Sequence, residues 1–439
     1  MKGQFCRETI DKSLAEAGID FERLDIQELW KQISILEQKL NVQYLRMDFG
    51  IPGLPPPDAA INAHLEALSD RKIVSRYPPS EGVTELKVET AEFLNLFLGI
   101  QLEPEWCLPT CGSTEAAFIA QAISGRRYKE RRQILHLEPG YPPIKAQTQL
   151  LGLESCAVDL YACRGRQLID VIQSHINEGH LAAISWSSPN NPTSMVLSEE
   201  ELRDIGMLCE WNDVVAIEDA AYLGMIKGGR SSGLRQWNSI AQYTDNFFLL
   251  LSASKMFSYA GERIGMLVSS AALMGRDYEA MDEFFGCKNV GRAIKRTIFN
   301  LTAGAPHTAQ YAIARVLKAI NQGQYDFVKI LGEYGNRARA VRDILLRNGF
   351  YGVYEPIHEE SEGGFYLTFG FPGLTAAQLL KELLYHGITV LPLSVFGSRH
   401  EGGVRACVGL LEQEDMPCFE HRISEFSKSR VACPARLMQ

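Results

Sequence analysis

The sequence lacks the features of a membrane, secreted or nucleic-acid-binding protein. Its longest apolar runs, such as "NFFLLLSA", are far too short to cross a bilayer. The N-terminus "MKGQFCRETIDKSLAEAG" carries charges from its start and has no apolar signal core. No basic run stands out and the formal net charge is -9, which argues against nucleic acid as a partner. We therefore expect a cytoplasmic protein that contacts neither a membrane nor nucleic acid.

Closely spaced cysteines of the kind that hold zinc are also missing. The chain has 10 cysteines but no CxxC pair, and nothing near Cys107 and Cys111 completes a zinc set. We predict no metal site and a set of reduced, buried thiols. The chain has 439 residues, of which 46% are apolar. That is enough for a large core and for two or more structural domains.

The pattern of apolar residues predicts an α/β protein with a helical start. Apolar side chains recur at helical spacing in "DIQELWKQISILEQKL", before "GIPGLPPPDAA" breaks the helix with its prolines. Short apolar runs then alternate with amphipathic stretches, which is the rhythm of a parallel sheet built from crossover units. The predicted strands are "QILHLEP", "LESCAVDL", "LAAISWSS", "VVAIED", "FFLLLSA" and "RIGMLVSS". The last two follow each other too closely for a helix between them, so one of them is predicted to run antiparallel.

The last third of the chain has a different order of elements. A long helical region follows residue 300, and the strand candidates "GGFYLTFG", "GITVLPL" and "VRACVGL" come after it. This order indicates a smaller α+β domain. We therefore predict an N-terminal helical extension over residues 1–47, a large domain over 48–305 and a small C-terminal domain over 306–439.

Polar residues and glycine follow the predicted strands where each strand ends. Because ligands of open α/β sheets sit beyond the carboxyl ends of the strands, these residues are candidates for one site. They are Gly112, Ser113, Thr114, Tyr141, Asn191, Asp219, Tyr222, Ser252, Ser254 and Lys255. Taken singly, each has an ordinary structural explanation, since "GST" caps helices, "SPNNPT" forms turns and a lone lysine is usually solvated.

Taken together, the residue types meet the needs of a single ligand. A lysine amine can bond an aldehyde, and a carboxylate can keep a pyridine nitrogen protonated so that the ring accepts electrons. A helix N-terminus with small hydroxylated residues binds a phosphate dianion, and serines and an arginine add donors. These features describe pyridoxal 5'-phosphate, with Lys255 at its aldehyde and with Ser252 and Arg263 at its phosphate.

Three stretches carry a family resemblance. "SSPNNPT", "EDAAY" and "SASKMFSYAGERIG" occur in the order and spacing of the class I/II aminotransferases of PLP fold type I, within a resemblance over roughly residues 48–410. It implies a large α/β domain with a mostly parallel seven-stranded sheet between helices. It also implies a small α+β domain built from the C-terminal part and the N-terminal segment.

The same resemblance implies a role for each candidate. Lys255 would be the Schiff-base lysine, and Asp219 would pair with the pyridine nitrogen. Asn191 and Tyr222 would bind the phenolic oxygen, and Tyr141 would stack on the ring. The residues implied around the phosphate are Gly112, Ser113, Thr114, Ser252, Ser254 and Arg263.

Two further segments resemble parts of the family that bind the substrate and build the dimer. "SRYPPSEGVTEL" is similar to the segment whose tyrosine, here Tyr77, reaches the phosphate of the neighbouring subunit, which implies a homodimer with shared sites. "EGGVRACVGL" is similar to the segment whose arginine, here Arg405, binds the substrate α-carboxylate beside Asn191. An arginine suits that role because its planar donors match a carboxylate bidentately.

The chain also departs from the family pattern. Ser194 stands where the family usually has glycine, Leu393 replaces the glycine of a late "PGS" turn, and Ala220 replaces the acid of a "DE" pair. We expect Leu393 to lie near the substrate and to reshape the pocket. The N-terminal extension exceeds the usual arm. It is expected to cover the site, to extend the dimer contact or simply to dock as a helix.

The resemblance implies an enzyme that moves an amino group from an L-amino acid to a 2-oxo acid. Another PLP reaction on an amino acid, by a β-lyase or by a cyclase or oxidase of specialised metabolism, remains an alternative, as does a non-catalytic sensor. Arg292 and Arg296 are candidates for a second carboxylate site, but an aromatic or aliphatic donor is favoured over an unusual amine. The candidate pocket residues are Tyr44, Phe49, Ile51, His307, His358, Phe365 and Phe396.

Overall fold

The computed structural model describes residues 5–21, 24–225, 237–354 and 364–431. Its strands are β1 (Leu45–Arg46), β2 (Cys107–Thr110), β3 (Gln133–Glu138), β4 (Glu154–Asp159), β5 (Leu181–Ser187), β6 (Val215–Asp219), β7 (Phe247–Ser252), β8 (Gly265–Ser269), β9 (Tyr351–Gly352), β10 (Tyr366–Gly370), β11 (Ile388–Thr389), β12 (Leu391–Pro392) and β13 (Val404–Cys407). Its α-helices are α1 (Arg7–Glu16), α2 (Ile26–Leu40), α3 (Asp58–Ser69), α4 (Arg71–Val74), α5 (Thr84–Leu98), α6 (Ser113–Ser124), α7 (Pro142–Leu150), α8 (Arg166–Asn177), α9 (Glu199–Asn212), α10 (Ala253–Met256), α11 (Ala271–Met274), α12 (Asp282–Phe285), α13 (Val290–Thr302), α14 (His307–Asn321), α15 (Phe327–Arg347), α16 (Ala376–Tyr385) and α17 (Met416–Val431).

The largest sheet has seven strands in the order β2-β8-β7-β6-β5-β3-β4. Every neighbouring pair is parallel except the two pairs made by β8, which runs antiparallel to β7 and to β2. The predicted sheet and its antiparallel strand are thereby confirmed. The sequence did not predict β2, because Pro109 lies inside it. The strand tolerates this proline at the edge of the sheet, where one side needs no ladder hydrogen bonds.

The central strand β7 explains why the predicted strands read as unbroken apolar runs. Phe247, Leu249 and Leu251 pack in one hydrophobic cluster, while Phe248 and Leu250 pack in a second one. Successive side chains of a strand point to opposite faces of its sheet. Both faces of this sheet are therefore covered, and a strand in its middle has no solvent side on which to place polar residues.

A second sheet is antiparallel and contains four strands in the order β12-β13-β10-β9. Strand β1 pairs in parallel with β11, so the segment before residue 47 joins the C-terminal part of the chain. Helix α14 packs against α3 and α5. The domain boundaries at residues 47 and 305 remain predictions.

The N-terminal extension is helical, as predicted, and is docked on the body of the protein. The side chain of Asp25 caps α2 by accepting hydrogen bonds from the first-turn backbone, at 2.8 Å from Gln27 N and 2.9 Å from Glu28 N. Leu29, Ile33 and Leu36 are buried on one face of this helix. The start of α2 is thus held in a defined position.

Two simpler expectations can be compared with the described residues. No helix in that part of the chain is long and apolar enough to cross a membrane. The nine cysteines found there are free, and all of them except Cys6 and Cys418 are buried or partly buried.

Candidate active site

Most of the candidate residues line one cavity at the carboxyl edge of the seven-stranded sheet. It has a volume of about 930 Å³. Strands β5, β6 and β7 end beside it, and the turn before α6 and the loop before β8 reach the same edge. The candidates that line it are Ser113, Thr114, Tyr141, Asn191, Asp219, Tyr222, Ser252, Ser254, Lys255, Arg263 and Arg405. A larger cavity of about 1180 Å³ lies beside the end of α5 and contains none of them.

Lys255 lies in α10, one turn beyond the end of β7. Its Nζ donates a hydrogen bond to the carbonyl oxygen of Gly50. Burial, with a contribution from the positive charges of Arg405 and Arg263, lowers the pKa of Lys255 to about 8. A lysine with this pKa is neutral in roughly one molecule in ten at pH 7, and the neutral amine is the form that can attack an aldehyde or accept a proton.

Asp219 ends β6 and is buried at the cavity wall. Among the described residues its carboxylate accepts one hydrogen bond, from the backbone N–H of Ala221 at 3.1 Å. Burial raises the pKa of Asp219 to about 6, and the Ala221 N–H opposes the shift. A buried carboxylate with so few partners has acceptor sites for a cationic N–H donor. The protonated nitrogen of a pyridine ring is a donor of this kind.

A cradle for an anion lies at the N-terminus of α6. Gly112 precedes this helix with φ +81°, and a Cβ there would lie 2.6 Å from Arg263 Nη2. The missing side chain therefore lets the guanidinium approach the first turn. Arg263 Nη1 donates to Ser254 Oγ at 3.4 Å, and Ser254 N donates to Ser252 Oγ at 3.2 Å. Helix N–H groups, hydroxyls and an arginine together fit a phosphate dianion.

Arg405 also lines the cavity and is only 3% exposed. Its Nη1 donates to Asn191 Oδ1 at 3.1 Å, and its Nη2 donates to the carbonyl oxygen of Asp48. The guanidinium carbon lies 4.5 Å from the ring centre of Tyr366 and 4.7 Å from that of Phe396. No carboxylate of the described residues forms an ion pair with this buried charge. Because such a charge is costly without a counter-ion, the arrangement suits an incoming carboxylate.

The sequence reasoning missed Tyr366, which is buried at the centre of this site. Its hydroxyl lies 2.7 Å from the hydroxyl of Tyr222. Burial raises the pKa of both phenols, so both keep their protons and one must donate to the other. Only the strand pairing indicates that Tyr366 belongs to the site. Tyr366 lies opposite Cys407 and is therefore diagonal to Arg405. A single sequence does not show that register.

Several predicted residues lie elsewhere. Tyr77 is 85% exposed and outside the cavity, and its role toward a second subunit stays a prediction. Phe49 and Phe396 line the cavity as expected. Leu393 is buried and does not itself line the cavity, but the three residues after it, Ser394, Val395 and Phe396, do, so its effect on the pocket stays a prediction.

The remaining pocket candidates were also misplaced, apart from His358, which lies outside the described residues. Tyr44, Ile51 and Phe365 do not line the cavity. His307 starts α14, where its Nδ1 lies 3.0 Å from the carbonyl oxygen of Ile73. Arg292 and Arg296 lie on the exposed side of α13, outside the cavity.

A mostly parallel sheet that places a buried lysine and a buried acid at its carboxyl edge provides groups for the aldehyde and the ring nitrogen of pyridoxal phosphate. The chain belongs to the aminotransferase class I and II family, whose model matches residues 43–423. Members of this family depend on pyridoxal 5'-phosphate, and the protein is a PLP-dependent aminotransferase.

Named relatives agree with this assignment. The chain is 28% identical to the 4-dedimethylamino-4-oxo-anhydrotetracycline transaminase OxyQ of Streptomyces rimosus, over 80% of this chain and 86% of that protein. It is 25% identical to the LL-diaminopimelate aminotransferase of Natranaerobius thermophilus, over 89% of this chain and 94% of that protein. The fold is similar to that of an aspartate aminotransferase variant of Thermus thermophilus, with a TM-score of 0.74 and 20% identity over 92% of this chain and 96% of that one.

Proposed function

We propose that the protein transfers an amino group from an L-amino acid to a 2-oxo acid, with Lys255 as the residue that bonds the cofactor. The observation that carries this proposal is the convergence of three groups on one cavity: an amine with a lowered pKa, a buried acid and a buried arginine without an ion-pair partner among the described residues. They are Lys255, Asp219 and Arg405.

The residues around the cavity would hold the cofactor at both ends. The phosphate would lie against the first turn of α6 and receive hydrogen bonds from Arg263 and the serine hydroxyls. Asp219 would pair with the protonated pyridine nitrogen, and Tyr141 would cover one face of the ring. When bound, pyridoxal phosphate supplies an electron sink that stabilises negative charge at the substrate Cα.

The phenolic oxygen of the cofactor would be bound by Tyr222 and Asn191. If Tyr366 donates to Tyr222, the Tyr222 hydroxyl keeps its own proton for this oxygen. Asn191 uses its Oδ1 to accept from Arg405, which leaves its amide N–H groups as donors. Asn191 would thereby connect the cofactor with the residue that binds the substrate.

Arg405 would bind the α-carboxylate of both substrates and orient the Cα–H bond. Its contacts with Asn191 and Asp48 fix the plane of the guanidinium, so little freedom remains to be lost when a carboxylate binds. Lys255 would then accept the Cα proton on its neutral Nζ and later release it. A pKa of about 8 suits both directions of this transfer near neutral pH.

We also propose a cytoplasmic homodimer in which Tyr77 reaches the phosphate of the second subunit. The exposure of this tyrosine is compatible with such a role. The division of the chain into an extension, a large domain and a small domain belongs to the same proposal.

The test is a single-turnover screen of amino donors with the cofactor-loaded protein. A competent donor should remove the visible absorbance of the lysine-bound cofactor and yield one equivalent of its 2-oxo acid. Lys255→Ala should lower turnover by roughly 10³-fold or more, whereas the control Lys381→Ala, in an exposed ion pair with Asp11, should not. Release of ammonia and pyruvate from a cysteine-like donor would identify a lyase instead. Full turnover by Lys255→Ala would overturn the proposal.

A further inference from the structure

Six residues of the cavity lining have large apolar side chains, and we call this set the apolar wall. They are Leu24, Ile26, Phe49, Leu150, Val395 and Phe396. These residues come from the segment that starts α2, the segment after β1, the end of α7 and the turn after β12. Leu150 is 80% exposed in spite of its apolar side chain. An exposed leucine beside other cavity-lining apolar groups is typical of a surface that a ligand covers.

The apolar wall begins next to Arg405. Phe396 packs on the guanidinium at 4.7 Å, and Phe49 directly follows Asp48, whose carbonyl oxygen accepts a hydrogen bond from Arg405 Nη2. Under the proposed function, a substrate whose α-carboxylate is bound by Arg405 has its side chain starting beside these two rings. The chemistry of the wall therefore determines which side chain can be accommodated.

The N-terminal extension is a fixed part of this wall. The rings of Trp30 and Phe49 meet edge to face with centroids 5.3 Å apart, and the guanidinium carbon of Arg46 lies 3.7 Å from the ring centre of Trp30. Ile26 sits one turn before Trp30 on the same helix. The N-terminal extension therefore does more than dock on the body of the protein, because it contributes residues to the lining of the site.

The charges of the lining do not suit a second carboxylate. Its cations within the described residues are Lys255, Arg263 and Arg405, and the proposed function uses all three for the cofactor and the α-carboxylate. Asp25, which lines the cavity between Leu24 and Ile26 of the apolar wall in the sequence, has its carboxylate fixed as the cap of α2. A dicarboxylate would meet desolvation by the wall and repulsion by Asp25.

We propose that the transferred amino group belongs to substrates with an uncharged, apolar side chain, aromatic or branched aliphatic, which packs against the N-terminal helix. This inference rests on the proposed function and specifies its substrate class. The affinity gained from burying such a side chain grows with its apolar area. Preference should therefore rise from alanine through leucine to phenylalanine.

The first experiment compares donors with the cofactor-loaded protein. We expect kcat/KM for L-phenylalanine and L-leucine to exceed kcat/KM for L-aspartate and L-glutamate by at least about tenfold. A tenfold preference corresponds to a free-energy difference of only about 1.4 kcal/mol. A preference for the acidic donors would overturn the inference and leave the proposed function standing. Absence of reaction with every donor would overturn the proposed function.

The second experiment measures binding without turnover. Calorimetric titration of the cofactor-loaded protein with 3-phenylpropanoate and succinate compares an apolar with a charged side chain on the same carboxylate anchor. Tighter binding of 3-phenylpropanoate is expected. Equal or tighter binding of succinate would contradict the apolar wall even in a protein that did not turn over.

The third experiment places a cation in the wall. Leu150→Arg is chosen because the side chain is largely exposed, so the fold should tolerate it, and Ile26→Arg tests the N-terminal helix itself. Each should shift the ratio of kcat/KM toward L-aspartate by tenfold or more. Trp211→Arg is the control, since Trp211 is 75% exposed on α9 and outside the cavity. An unchanged ratio in both wall variants would overturn the inference.

Discussion

Ser194 is joined to the backbone of Tyr366 by two hydrogen bonds. Ser194 Oγ donates to the carbonyl oxygen of Tyr366 at 3.0 Å and accepts from its N–H at 3.3 Å. Ser194 has φ +61°, in the left-handed region that favours glycine. The serine thus retains an unfavourable backbone conformation and gains a link between the loop after β5 and the strand β10. That link positions the tyrosine that contacts Tyr222.

Variants of Ser194 should separate the backbone effect from the hydrogen bonds. Ser194→Ala loses both bonds and keeps the strained φ, whereas Ser194→Gly loses both bonds and relieves it. We expect the alanine variant to have a free energy of unfolding about 1–2 kcal/mol below that of the glycine variant, as measured by urea denaturation. Both should lose a similar fraction of kcat/KM, because both release Tyr366. Full activity in Ser194→Gly would show that the serine has no positioning role.

The lowered pKa of Lys255 predicts a pH-dependent stability of the cofactor-free protein. The unfolded lysine holds its proton to about pH 10.4, whereas burial lowers the folded-state pKa to about 8. Between these values the unfolded chain binds more protons, so the free energy of unfolding should rise with pH. The free energy of unfolding of the wild type, minus that of Lys255→Met, should rise by up to about 1.4 kcal/mol per pH unit between pH 8 and about pH 10.4. Below pH 8 this difference should not change with pH.

Urea denaturation at pH 7, 8, 9 and 10 measures this effect. Taking the difference between the two proteins removes the contributions of the other titrating groups, such as the buried cysteines and tyrosines. A difference that stays constant or falls with rising pH would show that the amine of Lys255 is not depressed in the folded protein.

Arg405→Lys should impair substrates that carry an α-carboxylate and spare those that do not. A lysine keeps the positive charge but loses the fork of two parallel donors and the planar contact with the rings of Tyr366 and Phe396. We expect kcat/KM for an amino acid to fall by roughly 10²-fold, mostly through KM. The matched control is the corresponding amine without the carboxylate, whose slow reaction should stay unchanged. Equal losses for both substrates would indicate a general structural defect instead.

The site divides into a part that the sequence reveals and a part that it does not. Lys255 and Asp219 could be predicted because each lies at or just after the end of a buried strand, and such ends are readable in local patterns. Tyr366 and Asp48 could not be predicted, because they reach Tyr222 and Arg405 across 144 and 357 positions of the chain. Those contacts depend on strand register and on the path of the N-terminal segment. No local spacing encodes either one.

The fold shows the same division. The strands β3 and β5 to β8 were predicted because a strand buried on both faces leaves a largely apolar run. The edge strand β4 was also predicted, although it is only partly buried. The strand β2 was not predicted, because it is short, lies at the edge of the sheet and contains Pro109. Its position matters for function, since the turn after it carries Gly112 to the anion cradle.

Gly112→Ala should weaken the hold on the cofactor phosphate. The new Cβ would lie 2.6 Å from Arg263 Nη2, so the guanidinium must move away from the first turn of α6.

The control is Gly179→Ala, because Gly179 has φ +82° against +81° for Gly112 but has open space around its Cβ position. Both variants place an alanine at positive φ, at a cost on the order of 1–3 kcal/mol each, and only the first brings its Cβ against Arg263 in the cradle. Equilibrium dialysis should therefore show weaker binding of pyridoxal 5'-phosphate by Gly112→Ala alone, whereas pyridoxal, which lacks the phosphate, should bind both variants and the wild type alike. Equal weakening of the two ligands would mean that the cradle at α6 does not hold the phosphate.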